Sequence, residues 1–300
     1  MFAVQYSEYG GPEVLSLGEA PEPHAGPGQV RIVVRAASVN PIDWKVRAGM
    51  MAGGQPLEGT GIPGVDASGV VDEIGEGVTG VSIGDDVFGL GSSTQAEFAV
   101  LNAWAVKPSS VDWSAAAAAA LAAETAERGL RMLGVKQGMT VFIDGGAGGV
   151  GSAAVQLAKA AAANVIASAS QDNHDYLREI GAAPVLYGDG LLNRVRAIPD
   201  SHIDAVFDVA GKTAIEDLIA LAPEPSQVVS IANFGAAAAG ARLSAGGEES
   251  QPFQSLNLAA QLLHDSRLVI KVQTFPFDRF AEAYLTSESG HTRGKLVLVP

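Results

Sequence analysis

Gly146, Gly148 and Gly151 stand at the spacing G-x-G-x-x-G. They follow the apolar run Val141-Phe142-Ile143 and open a helical pattern from Val150 to Ala163. A strand, a glycine turn and a helix in that order build a cradle for a pyrophosphate. Gly146 is expected to permit the tight turn, Gly148 to let the backbone approach the phosphates, and Gly151 to let the helix pack closely on the strand. The helix N-terminus then presents free N–H groups and the positive end of its dipole to the anion. The chemistry such a cradle serves is dinucleotide binding. An ordinary glycine-rich turn is the competing reading, and strand, spacing and helix together favour the cradle.

The next strand reads the ribose. Val165-Ile166-Ala167-Ser168 continues into Ala169-Ser170-Gln171 with no acid at the tip. An unphosphorylated ribose calls for Asp or Glu there, about 20 residues past the fingerprint. Ser168 and Ser170, then Asn173 and His174 at the start of a helix, and Tyr187 at the end of a third strand offer donors to a 2′-phosphate instead. NADPH is therefore the expected cofactor. The alternative is that Asp172, beyond the strand, swings in as the ribose acid.

Other constellations fail on spacing. Gly211-Lys212-Thr213 resembles the end of a P-loop, but Val206 stands where that motif needs its first glycine. No serine lies in G-x-S-x-G. His24, His174, His202, His264 and His291 include no H-x-x-x-H pair, and the chain has no cysteine. Disulfides, thiolate nucleophiles and every Cys-based zinc or iron–sulfur centre are thereby excluded, and no metal is expected. Asp85-Asp86, beside Gly84, reads as a solvated turn.

These residues need a scaffold, and the chain has the material for one. It has 300 residues, 47% apolar and 17% charged, enough for one large domain or two modest ones. Its 19 basic and 33 acidic residues leave a net charge of −14, which disfavours nucleic-acid and anionic membrane partners. Met1–Leu17 lacks the basic patch and apolar core of a signal peptide. The longest bland apolar stretch, Ala115–Ala123, falls short of the roughly 17–25 residues of a membrane span. The expected location is the cytoplasm.

Before Trp113 the chain is rich in Gly, Pro and short Val/Ile runs. Strands are expected over Gln29–Val39, Gly69–Ile74 and Val78–Phe88, in a mostly antiparallel domain. Asp112 or Ser114 caps a helix through the alanine tract towards Leu133. Strands and helices then alternate: Thr140–Asp144, Gly148–Ala163, Asn164–Ser168, Asn173–Ile180, Val185–Tyr187, Ile203–Val209, Ala214–Leu221 and Gln227–Ile231. That alternation predicts a doubly wound parallel sheet. Ala236–Ala241 reads as a loop. A helix over Leu256–His264 and strands at Leu268–Gln273 and Lys295–Val299 return the chain to the first domain.

Segment Asp144–Lys159 (DGGAGGVGSAAVQLAK) strongly resembles the medium-chain dehydrogenase/reductase superfamily, in its zinc-independent quinone oxidoreductase branch, the zeta-crystallin-like enzymes. Tyr9–Leu15 (YGGPEVL), Asn40–Gly49 (NPIDWKVRAG), Pro63–Gly69 (PGVDASG) and Arg293–Leu298 (RGKLVL) carry the same likeness, so it spans essentially the whole chain. It implies an α/β fold: a GroES-like, β-rich catalytic domain over 1–112 and 249–300, interrupted by a Rossmann NADP-binding domain over 113–248. It also implies an active site in the cleft between them and a homodimer. Metal-dependent relatives bind zinc through Cys and His, whereas Asn40 and Asp66 stand in those neighbourhoods here.

The activity implied is hydride transfer from NADPH to a quinone or an α,β-unsaturated carbonyl, without zinc. Nearby donors must then stabilise the developing oxyanion, and water or a weak acid completes the reduction. By the resemblance, Asn40 and Pro41 approach the nicotinamide and Thr125 lies near the cofactor. Gly148, Gly149 and Val150 hold the pyrophosphate, and Val209, Ala210, Ile231, Ala232 and Asn233 line the cofactor at later strand ends. Asn40 and Lys45 are the catalytic candidates. Lys45 replaces a Tyr found in many relatives, and is either an oxyanion stabiliser or a solvated loop cation. Glu124, Glu127 and Arg128 surround Thr125 where relatives tend to be apolar, which bears on the polarity of the substrate pocket. A non-catalytic NADPH-binding protein, crystallin-like or a sensor, is the rival from another class. An enoyl-thioester reductase is the rival among enzymes, and its anionic tail would want a basic groove.

Overall fold

The structure, a computed structural model, describes residues 1–199, 202–290 and 292–300. His291 therefore lies outside the described residues. Met1–Leu121, Pro252–Ser266 and Ile270–Pro300 form one unit, and Ala122–Gln251 with Arg267–Val269 forms the other.

In the first unit β1 (Phe2–Gln5) and β2 (Ser16–Glu19) make an antiparallel ribbon. The alternating start of the Val30 run turns Val30, Ile32 and Val34 inwards as β3 (Val30–Val39). Pro41, whose missing N–H costs nothing at a first helical position, then opens α1 (Pro41–Arg47). Next come β4 (Asp66–Ile74), β5 (Asp86–Ser92) and β6 (Phe98–Val106). Strand β6 pairs back onto β3 as well as onto β5, so the sheet curls around Ile32, Val71, Val87 and Leu101. The strand expected over Val78–Phe88 begins only at Asp86. Gly80 and Gly84, at φ +78° and +95°, turn the chain before pairing can start.

Helix α2 (Trp113–Met132) starts where Asp112 accepts the N–H of Ala115 at 2.8 Å, and Gly134 follows its end at φ +65°. Ala116–Ala120 are fully buried; side chains this small let the helix lie close to the sheet. Ser38 and Ser68 donate to the carbonyls of Ala117 and Trp113 at 3.1 and 2.7 Å, fastening the first turns to β3 and β4.

The second unit contains β7 (Thr140–Asp144), α3 (Gly149–Ala160), β8 (Asn164–Ala169), α4 (His174–Glu179) and β9 (Ala183–Leu186). Then follow α5 (Leu191–Arg196), β10 (Ala205–Asp208), α6 (Ile215–Ile219), β11 (Val228–Ser230) and β12 (Arg242–Leu243). All pairings are parallel, in the order β9-β8-β7-β10-β11-β12. The winding reverses between β7 and β10, and a doubly wound sheet binds ligands beyond the strand ends at that reversal. Phe142, Ile166, Val206 and Val228 fill its core.

The chain returns through α7 (Pro252–His264), whose Phe253 meets Trp104 of β6 edge-on, ring centres 5.2 Å apart. Then come β13 (Val272–Pro276), α8 (Phe280–Glu288) and β14 (Lys295–Val299). The strand expected from Leu268 starts four residues later. Both backbone groups of Val269 are taken by the amide of Gln156, at 2.8 and 2.9 Å, so that stretch needs no ladder.

Candidate active site

In the second unit the strand tips converge on a glycine turn. Gly145, not Gly146, carries the left-handed conformation, at φ +90°. Gly146 lacks a side chain for another reason: a Cβ there would come within 2.6 Å of the Ala167 Cβ. A Cβ on Gly151 would strike the Gly145 carbonyl at 2.1 Å, so close packing of α3 on β7 does demand glycine. Gly148, the N-cap of α3, differs from both. Its Cβ would meet only the Gly145 oxygen, at 3.7 Å, and the protein leaves open the side where a phosphate would lie. Gly149 and Val150 form the first turn of α3 behind it. The cradle thus fits a pyrophosphate by backbone alone.

Two buried acid–hydroxyl pairs brace the tips. Ser168, 1% exposed, donates its hydroxyl to Asp144 and accepts the Gly145 N–H at 2.9 Å, while its carbonyl accepts from Gly146 N, also at 2.9 Å. The hydroxyl expected to face a phosphate is therefore committed inwards, to the turn itself. Burial pushes the Asp144 carboxyl above its usual range, the Ser168 hydrogen bond opposes this, and Asp208 raises it further. Asp208 takes the N–H groups of Ala210 and Gly211 at 3.1 and 2.7 Å and the Ser230 hydroxyl at 2.7 Å. The Ser230 oxygen in turn accepts Ala232 N and Asn233 N at 3.2 and 2.9 Å. Val209, Ala210, Ile231, Ala232 and Asn233 are so held at the carboxyl ends of β10 and β11, on the same sheet edge as the glycine turn. Asp144, Asp208 and Ser230 escaped sequence reasoning. The signal for them was present: strands ending Val-Phe-Ile-Asp and Val-Phe-Asp each precede a neighbour whose tip carries Ser.

Beyond β8, Ser170 accepts the Asn173 amide at 2.9 Å. Asn173 ends a short 3₁₀ turn, and His174, mostly buried, begins α4. Tyr187, half exposed, follows β9, which lies beside β8. Thr125 is buried on α2 and donates to Glu124 at 3.4 Å. The charges around it satisfy one another. Arg128 bonds Glu124 at 3.0 Å and also Ser244, and Ser250 donates to Glu124 at 2.6 Å.

In the first unit Asn40 is the hub. It is 3% exposed, and its Nδ2 donates to Asp66 Oδ1 at 2.7 Å. Its Oδ1 accepts from Lys295 Nζ, which also lies 3.6 Å from Asp66 Oδ2. Its backbone N–H goes to Asp43 Oδ2 at 2.8 Å, half of a capping box. Asp43 is held besides by Gln95, and Gln95 by the Tyr284 hydroxyl at 2.9 Å. Burial above all pushes the Asp43 carboxyl up to about 7, with Asp66 adding to the rise and the Asn40 N–H opposing it. Pro41 is exposed at the head of α1. Lys45, partly buried, lies over the Trp44 ring with its Nζ 5.6 Å from the centre. Arg47 anchors the far end of α1, bonding Glu288 at 2.7 Å across the face of Tyr284. Among the described residues no three His, Cys, Asp or Glu side chains group as a metal site requires. The sequence alone does not mark Lys295 or Gln95, because neither a strand residue nor a loop glutamine signals what it will meet.

A curled β-domain joined to a doubly wound sheet with a glycine-rich phosphate turn defines a two-unit dehydrogenase or reductase. Family models for an alcohol dehydrogenase GroES-like domain and a zinc-binding dehydrogenase match residues 26–110 and 180–298. The chain is similar to an NADPH-dependent alkenal/one oxidoreductase of Arabidopsis thaliana chloroplasts, 32% identical over 100% of this chain and 80% of the relative. It is also similar to the quinone oxidoreductase structure from Coxiella burnetii, at TM-score 0.83 and 32% identity over 100% of this chain and 99% of that one. A mycobacterial protein solved with NADPH superposes at TM-score 0.85, with 26% identity over the whole of both chains. The chain belongs to the medium-chain dehydrogenase/reductase superfamily, among its quinone and alkenal/one oxidoreductases. No helix among the described residues is long and apolar enough to cross a membrane.

Proposed function

We propose that this protein is an NADPH-dependent reductase of quinones and α,β-unsaturated carbonyls. The observation that carries the reading is the glycine turn, closed against β7 at Gly151 and open at Gly148, at the reversal of a doubly wound sheet. The relatives named above supply the class of acceptor. In this reading 113–248 holds the cofactor and 1–112 with 249–300 serves the acceptor.

When bound, NADPH supplies the hydride that goes to an electron-poor carbon or oxygen. Gly149 and Val150 hold the pyrophosphate with backbone N–H groups, and Gly148, whose own N–H goes to the Gly145 carbonyl at 3.3 Å, keeps the approach open by having no side chain. Ser170, Asn173, His174 and Tyr187 serve the 2′-phosphate, and Ser168 serves it indirectly by pinning the turn. Val209, Ala210, Ile231, Ala232, Asn233 and Thr125 keep water from the rest of the cofactor. Asn40, with Pro41 beside it and Lys45 one turn on, provides donors for the oxyanion that forms on the acceptor. Water or a weak acid returns the proton.

Zinc has no part in this reading. The site around Asn40 consists of an amide, a carboxylate and the ammonium of Lys295, with no thiolate or imidazole, and the ammonium already provides the cation. The same reading has the protein working in the cytoplasm as a homodimer, and sedimentation checks the second point. The test is NADPH oxidation across a panel of quinones, enones and enoyl thioesters, before and after exhaustive chelation. Turnover of quinones or enones that survives chelation is expected. Tight NADPH binding without turnover would leave a cofactor-binding protein, and preference for the thioesters would move the acceptor class.

A further inference from the structure

Lys295 opens β14, yet its side chain is only 7% exposed. It points into the hydrogen-bond network around Asn40, and the chemistry of the two partners of that asparagine fixes how its amide is oriented. An ammonium only donates, so it must face the amide oxygen. A carboxylate only accepts, so Asp66 must face the amide nitrogen. Flipping the Asn40 amide would set N–H against ammonium and oxygen against carboxylate. Asp66 cannot turn away either: it is fully buried, and its other oxygen accepts the Leu121 N–H at 3.1 Å.

The amide nitrogen carries two hydrogens, and Asp66 takes one of them. A cation on the amide oxygen draws electron density from the nitrogen and strengthens the remaining N–H as a donor, because hydrogen bonds in a chain polarise one another. The backbone of Asn40 is held independently through Asp43, Gln95 and Tyr284. The Asn40 amide is therefore held at its oxygen and its nitrogen, with one N–H beyond the one Asp66 takes.

We propose that Lys295 is a positioning residue for the reduction: by holding the Asn40 amide oxygen it presents the second Asn40 N–H, oriented and polarised, to the oxyanion that forms on the acceptor. The proposal rests on the reading of function given above. It separates a role in the reaction from a purely structural ion pair with Asp66.

The test uses the full chain. Lys295→Met removes the donor and keeps much of the stem. It is expected to lower kcat for an enone by about 10–100-fold, the usual effect of losing a group that orients an active residue, with KM for NADPH unchanged. Lys295→Arg should recover most of the rate. Leu296→Ala, a neighbouring core truncation, supplies the stability control: it should lose melting temperature while keeping kcat near wild type. Lys295→Gln, which keeps a neutral donor, should give an intermediate rate and serves if Lys295→Met does not fold. The second readout is independent of turnover. Exchange of the Asn40 side-chain amide hydrogens, followed by nitrogen-15 NMR and assigned with Asn40→Asp, should be slow in wild type and faster in the Lys295 variants. Wild-type kcat in Lys295→Met, an equal loss of kcat in Leu296→Ala, or unchanged amide exchange would overturn the proposal. If the wild type reduced no quinone or enone, the functional reading would fall, and amide exchange would still decide whether Lys295 fixes Asn40.

Discussion

The Ser168 hydroxyl is spent inside the glycine turn rather than on its surface. It bridges the buried Asp144 and the partly buried Gly145. Ser168→Ala takes one hydroxyl donor from the buried Asp144 carboxyl, which costs about 1–3 kcal/mol by denaturant unfolding. The ratio of kcat/KM for NADPH and NADH should stay where it is, because the hydroxyl does not face the ribose; a collapse of that ratio would return Ser168 to the phosphate. Asp43 gives a prediction in pH. Its carboxyl, pushed from 3.8 up to about 7 chiefly by burial, keeps in the folded chain a proton that the unfolded chain has released. Folding stability therefore falls as pH rises between those values, by at most about 1.4 kcal/mol per unit, and the loss levels above about 7. Asp43→Asn keeps an acceptor for Asn40 N and removes this contribution. Its melting temperature should gain on the wild type across that window, and parallel curves would place Asp43 in a wetter setting.

Among the elements, the β7–α3 turn makes the sharpest distinction, since its glycines are glycine for different reasons. Gly151→Ala drives a Cβ to 2.1 Å from the Gly145 carbonyl, so it should cost about 1–3 kcal/mol of stability, as overpacking does. The Cβ of Gly148→Asp meets nothing closer than the Gly145 oxygen at 3.7 Å, so the variant should fold. Its carboxylate would stand where the phosphates lie, and like charges at contact distance repel by about 4 kcal/mol near a protein surface, enough to raise the Kd for NADPH at least about 100-fold. Fluorescence titration of the folded variant reads this, and wild-type affinity would mean the phosphates lie elsewhere. Much of this scaffold was legible in the sequence. Thr140–Asp144 and Lys295–Val299 are strands over the expected residues, and α2 starts from Asp112, one of its two expected caps. Part of what was not legible depended on partners distant in sequence. The Val269 backbone is satisfied by Gln156, which moved β13. The start of α1 is local, but Asn followed three residues on by Asp is a weaker cap signal than Ser or Thr followed by Glu or Gln. α5, between the described ends of β9 and β10, is short and carries no cap signal at Gly190, which sits at φ +78°. At the candidate site the glycines were visible because their spacing is local, whereas the ties of Lys295 to Asn40 and Asp66 join opposite ends of the chain.

At the scale of the molecule, a chain of net charge −14 is read as binding a polyanion and delivering hydride to a carbonyl compound. Backbone N–H groups at one helix start supply the local field that the side chains do not, and the buried ammonium of Lys295 supplies a fixed positive charge beside Asn40 and Asp66. Everything in this reading turns on the hydride transfer itself. It is tested most directly by single turnover of an enone with NADPH deuterated at the transferring face of C4, with the product analysed by mass and NMR. The expected product carries one deuterium at the β-carbon and a solvent-derived proton at the α-carbon, with or without chelator. A product without deuterium, or deuterium transfer that chelation abolishes, would contradict the account.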